Sequence, residues 1–228
     1  MPSYLFKNGY SKDIQIGKII CLARTYKKHA EEMQSELPRE PIVFLKPPSS
    51  VIFNGDSILI PLESSSLHHE IEFGVVIGEK CSKISKKLAL DYVLGYLVGL
   101  DITARDIQAK AKKQGWPWTI SKGYDTFCPI SEVVLKKYIL DPNNVDFSLK
   151  VNNEIKQKGN TNMMVFSIEQ LIEYISCIMT LEPGDLILTG TPEGVGEIRK
   201  GDILKAELSG YCNLQVDVVK QKNKDYSK

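Results

Sequence analysis

The stretch HHEIEFGVVIG, residues 68–78, decides how the chain is read, because it looks like a buried strand yet carries carboxylates at Glu70 and Glu72. Period-two alternation puts these two side chains on one face. The flanking Ile71, Phe73, Val75 and Ile77 put a core on the other. Residues two apart on a strand are separated by about 6.6 Å of rise, near enough for both carboxylates to reach one ion. The plain alternative is a half-exposed strand whose glutamates point into water, and this strand alone favours it. His68 shares the glutamates' face and is a conceivable fourth ligand. The preceding SSSLHH reads as the strand's entry, however, which favours an ordinary loop or supporting histidine, and His69 points the other way and is given no role.

Asp101 shifts the balance. It is the first acid after the nine-residue apolar run YVLGYLVGL (92–100), so it emerges at the end of a buried strand, where a rigid scaffold can hold a site. Three hard oxygen ligands from two neighbouring strands suit Mg²⁺ or Mn²⁺, with water or substrate completing an octahedron.

Composition narrows the remaining classes. The 228 residues include 29 Lys and Arg against 28 Asp and Glu, so no net field draws the protein to nucleic acid or an acidic membrane. Hydrophobic residues are 43% of the chain, enough for a substantial core. The five cysteines are scattered, with no C-x-x-C pair, which favours a reduced compartment, small core thiols and no structural zinc. The first fifteen residues carry no apolar run of the signal-peptide kind, and the expectation is a cytoplasmic protein.

Along the chain, KIICLA (18–23) and IVFLKP (42–47) read as strands around a charged helix from Thr25 to about Glu36. Asn54-Gly55-Asp56 predicts a hairpin between SVIF and SILIPL, and Asn152-Asn153 predicts another. SKKLALDY is a short helix candidate, and TARDIQAKAKKQG (103–115) is a helix of about three turns. WPWTISKGYDTFCP (116–129) reads as an aromatic, proline-bounded loop. Ser167 and Gln170 form a capping-box signature ahead of an apolar helix, and two strands, 203–208 and 213–219, end the chain. The expected fold is a single α+β domain over 1–228, mainly β, with about the first forty residues including a lid segment.

At this point the residues carry a resemblance. HHEIEFGVVIG, GLDITARDIQ, SKGYDTFCP and ILTGTPEGVG, in this order, resemble the motifs of the fumarylacetoacetate hydrolase superfamily. LARTYKKHAEEM near the start is similar to its acylpyruvase and oxaloacetate decarboxylase branch, and the likeness runs from about Lys18 to Val219. The resemblance implies a mixed β-roll or barrel with a few short helices, usually homodimeric. It also implies Glu70, Glu72 and Asp101 as ligands of Mg²⁺ or Mn²⁺, the charge that would neutralise the carboxylate pair.

His29 and Glu32 are three apart and share a helix face; on spacing alone KKHAEE is a solvated helix. The resemblance makes them a catalytic His–Glu dyad on a segment that closes over the metal, with Glu31 pointing elsewhere. It makes Arg24, Gln108 and Lys122 substrate-binding residues, Lys122 also catalytic, Thr191 a wall contact and Lys46 electrostatic support. Arg105 ranks below Gln108, because it can form a structural ion pair with Asp106 or another acid. TGTPEGVG lacks the Gly-Lys-Ser/Thr ending and a following helix, so it is no phosphate cradle. The implied function is metal-dependent C–C cleavage of small 2-oxo acids: acylpyruvate hydrolysis, oxaloacetate decarboxylation, or both. Two alternatives stand beside it, an isomerase or decarboxylase of aromatic-degradation intermediates and a non-catalytic metal-stabilised binding protein. Partners are the small substrate and a second copy, with no nucleic acid and no membrane.

Overall fold

The structure is a computed structural model that describes residues 2–7, 9–32 and 36–221. Its longest apolar runs meet each other: Ile71–Ile77 and Val93–Leu100 pair antiparallel, with Ile71 opposite Leu100 and Glu72 opposite Gly99. They are inner strands of a six-stranded sheet, in the order Val134–Leu135, Val93–Leu100, Ile71–Ile77, Leu186–Leu188, Ile19–Ala23, Ile42–Lys46. Only Ile19–Ala23 against Leu186–Leu188 is parallel within it.

Both faces of this sheet are covered. Ile71, Phe73, Val75 and Ile77 join one core with Phe147, Leu149 and Ile172. On the other side Val76, Leu97 and Leu188 pack with Tyr4, Ile16 and Cys21. All seven residues of Ile71–Ile77 are therefore buried, which corrects the half-exposed reading of alternation. A strand sandwiched between two cores takes apolar residues at every position, so period two no longer separates inside from outside.

The first core lies against a five-stranded sheet, in the order Glu154–Asn160, Asp146–Val151, Ile203–Leu208, Cys212–Lys220, Ser57–Ile60. Here alternation is clean: Ile203–Leu208 buries Leu204, Ala206 and Leu208 and turns the residues between them to solvent. The Asn152-Asn153 turn joins two antiparallel strands, with both asparagines at positive φ (51° and 68°), as a tight primed turn requires. A three-stranded sheet (Gly196–Ile198, Leu67–His69, Thr103–Ala104) and a two-stranded one (Val51–Ile52, Cys128–Pro129) complete the described strands. The fold is α+β and mainly β; among the described residues the sheets stay open rather than closing into a barrel.

Two local expectations need correction. Asn54-Gly55-Asp56 makes a turn, with Asp56 Oδ2 accepting from Phe53 N at 2.8 Å, but no hairpin. Val51–Ile52 pairs in parallel with Cys128–Pro129 and Ser57–Ile60 in parallel with Cys212–Lys220, so the turn passes the chain between two sheets. Within the expected loop 116–129, Thr119–Lys122 forms one helical turn. Of the segment expected to include a lid, Ile19–Ala23 is an inner strand; the helix that follows spans Lys27–Glu32, and residues 33–35 lie outside the described residues. SKKLALDY is a 3₁₀ helix, Lys86–Tyr92. No described helix is long and apolar enough to cross a membrane.

Candidate active site

Glu70 sits at the junction where Leu67–His69 of the small sheet gives way to Ile71–Ile77 of the large one. Its carbonyl accepts from Asp101 N at 2.8 Å, which binds the end of Val93–Leu100 beside it. Glu72 follows two residues on. The three buried carboxylates each offer an oxygen within 4.8 Å of the others.

Cations answer two of the three acids. Arg105 Nη2 donates to Glu70 Oε1 at 2.6 Å and Lys122 Nζ to Glu70 Oε2 at 2.7 Å. Lys122 also donates to Asp101 Oδ2, and Lys46 donates to Asp101 Oδ1 at 2.6 Å and to the carbonyls of Ile102 and Lys122. Burial disfavours charge at Glu70, but Lys122 and Arg105 outweigh it and hold this carboxyl well below the usual range. Burial likewise opposes the Lys122 charge, and Asp101 and Glu70 reverse that, pushing its pKa upward.

Glu72 is different. Among the described residues it has no ion-pair partner, and its Oε2 accepts only from Gly190 N, at 2.7 Å. Burial, then Asp101, then Glu70 push its carboxyl well above the ordinary range. Gly190 is required there: its φ is +94°, and a Cβ would collide with the Thr25 hydroxyl.

A small cleft opens on these acids, with a volume of about 50 Å³, room for roughly three to five waters. Arg24, His29, Phe44, Arg105, Gln108, Lys112, Trp118, Lys122 and Thr191 share its lining with Glu70 and Glu72. His29 Nδ1 lies 3.2 Å from Glu32 Oε2, and the Glu32 carboxylate also accepts from Gly194 N at 3.1 and 3.3 Å, tying the short helix to the TPEGVG loop. Glu31 instead reaches Lys27, at 3.9 Å. Arg24 stands at the cleft with φ of 59°, a left-handed conformation uncommon for a side chain of this size.

The structure thus brings every sequence-predicted site residue to one place: Arg24, His29, Gln108, Lys122 and Thr191 at the cleft, Glu32 behind His29, and Asp101 beneath. Arg105 pairs with Glu70 and Gln108 rather than Asp106, whose carboxylate takes Ser64 and Ser65. His68 stays outside the carboxylate cluster, and buried His69, given no role above, bonds Gln157. Lys112, Phe44, Trp118 and Gln157 escaped the sequence reading. Lys112 had a signal, since Arg105, Gln108 and Lys112 recur at three and seven residues on one helix face.

Do these residues fit a divalent cation? The donors are hard oxygens, they converge, and Glu72 is a buried carboxylate with no ion-pair partner among the described residues. They fit.

The fold and cleft together define a mainly β protein centred on a buried carboxylate triad that can hold a hard metal ion. The chain belongs to the fumarylacetoacetate hydrolase family: residues 18–219 match the family described as Fumarylacetoacetate (FAA) hydrolase C-terminal. It is 53% identical over 207 residues to a mitochondrial oxaloacetate decarboxylase of Dictyostelium discoideum, covering 90% of this chain and 95% of that one. It is 50% identical over 201 residues to the mitochondrial oxaloacetate tautomerase FAHD1 of Arabidopsis thaliana, covering 88% and 90%. Among solved structures, fumarylpyruvate hydrolase from Pseudomonas aeruginosa in complex with Mn²⁺ and pyruvate superposes with a TM-score of 0.90 at 32% identity, covering 96% and 97%. The relatives are enzymes. Tautomerisation, which one of them is named for, is a chemistry the sequence reading did not consider.

Proposed function

We propose that the protein is a divalent-cation-dependent enzyme of small 2-oxo acids that acts on oxaloacetate by tautomerisation and decarboxylation. Cleavage of acylpyruvates is a further use of the same cleft. The observation that carries this reading is the carboxylate triad facing a cleft that also holds a histidine with its own carboxylate.

Glu70, Glu72 and Asp101 would hold Mg²⁺ or Mn²⁺. Bound there, the cation supplies Lewis acidity toward the oxygens of a 2-oxo acid, lowering the cost of enolate formation. Arg24, Gln108, Lys122 and Thr191 orient the substrate's carboxylate and oxo oxygens. Glu32 engages His29 Nδ1, which leaves Nε2 to exchange a proton with the substrate. In tautomerisation His29 moves a proton between C3 and the 2-oxygen. In decarboxylation the C3–C4 bond breaks, CO₂ leaves, its electron pair stays in the enolate, and His29 returns a proton to C3. With an acylpyruvate, His29 instead takes a proton from the water that adds to the C4 carbonyl; the C3–C4 bond then breaks, C4 leaves as the carboxylic acid, and the electron pair left on the pyruvate portion takes up a proton at C3.

The charges favour a dicarboxylate. Glu70, Glu72 and Asp101 are matched in number by Lys46, Arg105 and Lys122, whereas Arg24 and Lys112 line the cleft with no acidic partner among the described residues. Oxaloacetate, with two carboxylates, answers that excess better than acetylpyruvate, with one.

The test is consumption of oxaloacetate and acetylpyruvate, and enol–keto interconversion of oxaloacetate, each with Mg²⁺ and with excess chelator. Metal-dependent turnover faster for oxaloacetate is expected. Turnover indifferent to chelator would end the metal reading, and turnover of neither acid would end the substrate reading.

A further inference from the structure

We infer that Gln157, which lies outside the cleft, is a positioning residue that turns the Thr191 hydroxyl so that its proton faces the ligand. The inference rests on the 2-oxo acid reading above, since it assigns Thr191 a contact with that ligand's oxygens.

Gln157 belongs to Glu154–Asn160, an edge strand of the five-stranded sheet whose side chains are mostly exposed. Its own side chain is 1% exposed and reaches across to the other sheets. A buried carboxamide is unfavourable unless every polar atom finds a partner, and here they all do. Oε1 accepts from Ile71 N at 3.0 Å and from His69 Nδ1 at 2.9 Å. Nε2 donates to the Pro192 carbonyl at 2.9 Å and to Thr191 Oγ1 at 2.8 Å.

These partners decide which end of the amide is which. The Ile71 N–H can only donate and the Pro192 carbonyl can only accept, so a flipped amide would place donor on donor and acceptor on acceptor. Two consequences follow. His69 must carry a proton on Nδ1. The Thr191 oxygen must accept from Gln157, so its own proton has to go elsewhere. No described residue accepts it, and buried Thr191 lines the cleft beside Glu70 and Glu72. The free direction is toward an anionic oxygen of the bound acid.

Gln157→Glu tests this with almost no change of shape. A carboxylate still accepts from Ile71 N and His69; it gives up the donation to the Pro192 carbonyl and presents an acceptor to Thr191, so the hydroxyl turns to it and away from the cleft. With saturating Mg²⁺ and oxalate as the calorimetric probe, Gln157→Glu is expected to weaken binding about tenfold to a hundredfold, the worth of a hydrogen bond to a charged oxygen. Thr191→Val should lose as much, Thr191→Ser should keep the wild-type affinity, and adding Gln157→Glu to Thr191→Val should cost nothing more. Unchanged oxalate affinity in Gln157→Glu, or losses that add in the double variant, overturns the inference. Should Gln157→Glu not fold, the Thr191 pair decides: full affinity in Thr191→Val, or none in Thr191→Ser, overturns it. A wild type that binds oxalate but turns over no 2-oxo acid defeats the catalytic reading alone, and one that binds no oxalate defeats both.

Discussion

The floor and the mouth of the cleft are charged in opposite ways. On the floor three buried acids face three buried or half-buried cations, joined by short, charge-assisted hydrogen bonds that lock their geometry. At the mouth Arg24 and Lys112 have no acidic partner among the described residues, and Lys112 is exposed, its ammonium 5.4 Å from the centre of the Trp118 ring. Buried charge is tolerated only when paired, so the floor is neutral apart from the strain at Glu72, while solvent lets the mouth keep an excess. A neutral floor with one uncompensated carboxylate accepts a cation. A cationic mouth accepts an anion, and the order of the two along the cleft is the order in which metal and substrate would lie.

The largest effects belong to the floor. Glu72→Gln is expected to abolish Mg²⁺ binding in calorimetry and bring turnover down to the level seen with chelator. The metal-free protein should nevertheless become more stable, because the change removes a charge that burial, Asp101 and Glu70 all disfavour. A carboxyl raised above its unfolded value makes the fold less stable as pH climbs past that value, about 4. The advantage of Glu72→Gln should therefore be present at neutral pH, about 2–4 °C in Tm per 1 kcal/mol relieved, and vanish below pH 4. Asp101→Asn should do the reverse to stability, costing about 3–5 kcal/mol by leaving buried Lys46 without its acid and Lys122 with Glu70 alone. If both variants destabilised alike, the floor would not be divided as described. Next comes His29→Ala, expected to lower kcat roughly a hundredfold or more while leaving Mg²⁺ affinity intact. Loss of the metal in that variant would place His29 on the floor rather than at the reacting atoms.

Much of the floor could be read from residue order, because strand ends are fixed by where an apolar run stops. Glu70, Glu72 and Asp101 stand near such ends and already read together as three hard oxygen ligands, a reading that the family resemblance then strengthened. The mouth was harder. Lys112 lies among Lys110 and Lys113 in AKAKKQ, and only its helical phase with Arg105 and Gln108 sets it apart. Gln157 left no local mark at all, since its partners are 34 to 88 residues away in sequence and meet it only after two sheets have packed. The hairpin expected at Asn54-Gly55-Asp56 failed for the same reason: turn chemistry is local, but which sheet a strand joins is set by distant partners.

The mouth can be tested without disturbing the floor. Lys112→Met keeps most of the side chain's apolar length against Trp118 and removes only the charge. Its pKa is already lowered by the partial desolvation of its half-covered side chain and by the neighbouring Arg105 and Arg24, a crowding of like charges that an anion would relieve. KM for oxaloacetate should rise roughly fivefold, the upper range for a solvent-exposed ion pair. KM for acetylpyruvate, which lacks the second carboxylate, should stay within about twofold. Equal shifts for both acids would mean that Lys112 serves the cleft's shape rather than the distal carboxylate.

The smallest effect asks whether floor and mouth share one support. The helix Arg105–Gln114 carries Arg105 to the floor and Lys112 to the mouth. Its first turn is fastened by Asp106, which accepts from Ser65 N at 2.8 Å and the Ser64 hydroxyl at 2.7 Å, in the segment leading to Leu67–His69 and Glu70. Burial raises this carboxyl, but the donors from Ser65, Ser64 and Ile107 together outweigh it and hold its pKa below the ordinary value. An acid lowered in the fold contributes stability that is present above its unfolded value, about 4, and is lost as pH falls further. Asp106→Asn should cost about 1 kcal/mol or less at neutral pH, because solvent screens the site, and the difference should shrink below pH 4. If the helix is a common support, KM for oxaloacetate and Mg²⁺ affinity should weaken together, each by less than about threefold. A change confined to one of them would mean that floor and mouth are held in place independently, and that Arg105 is fixed by Glu70 rather than by its helix.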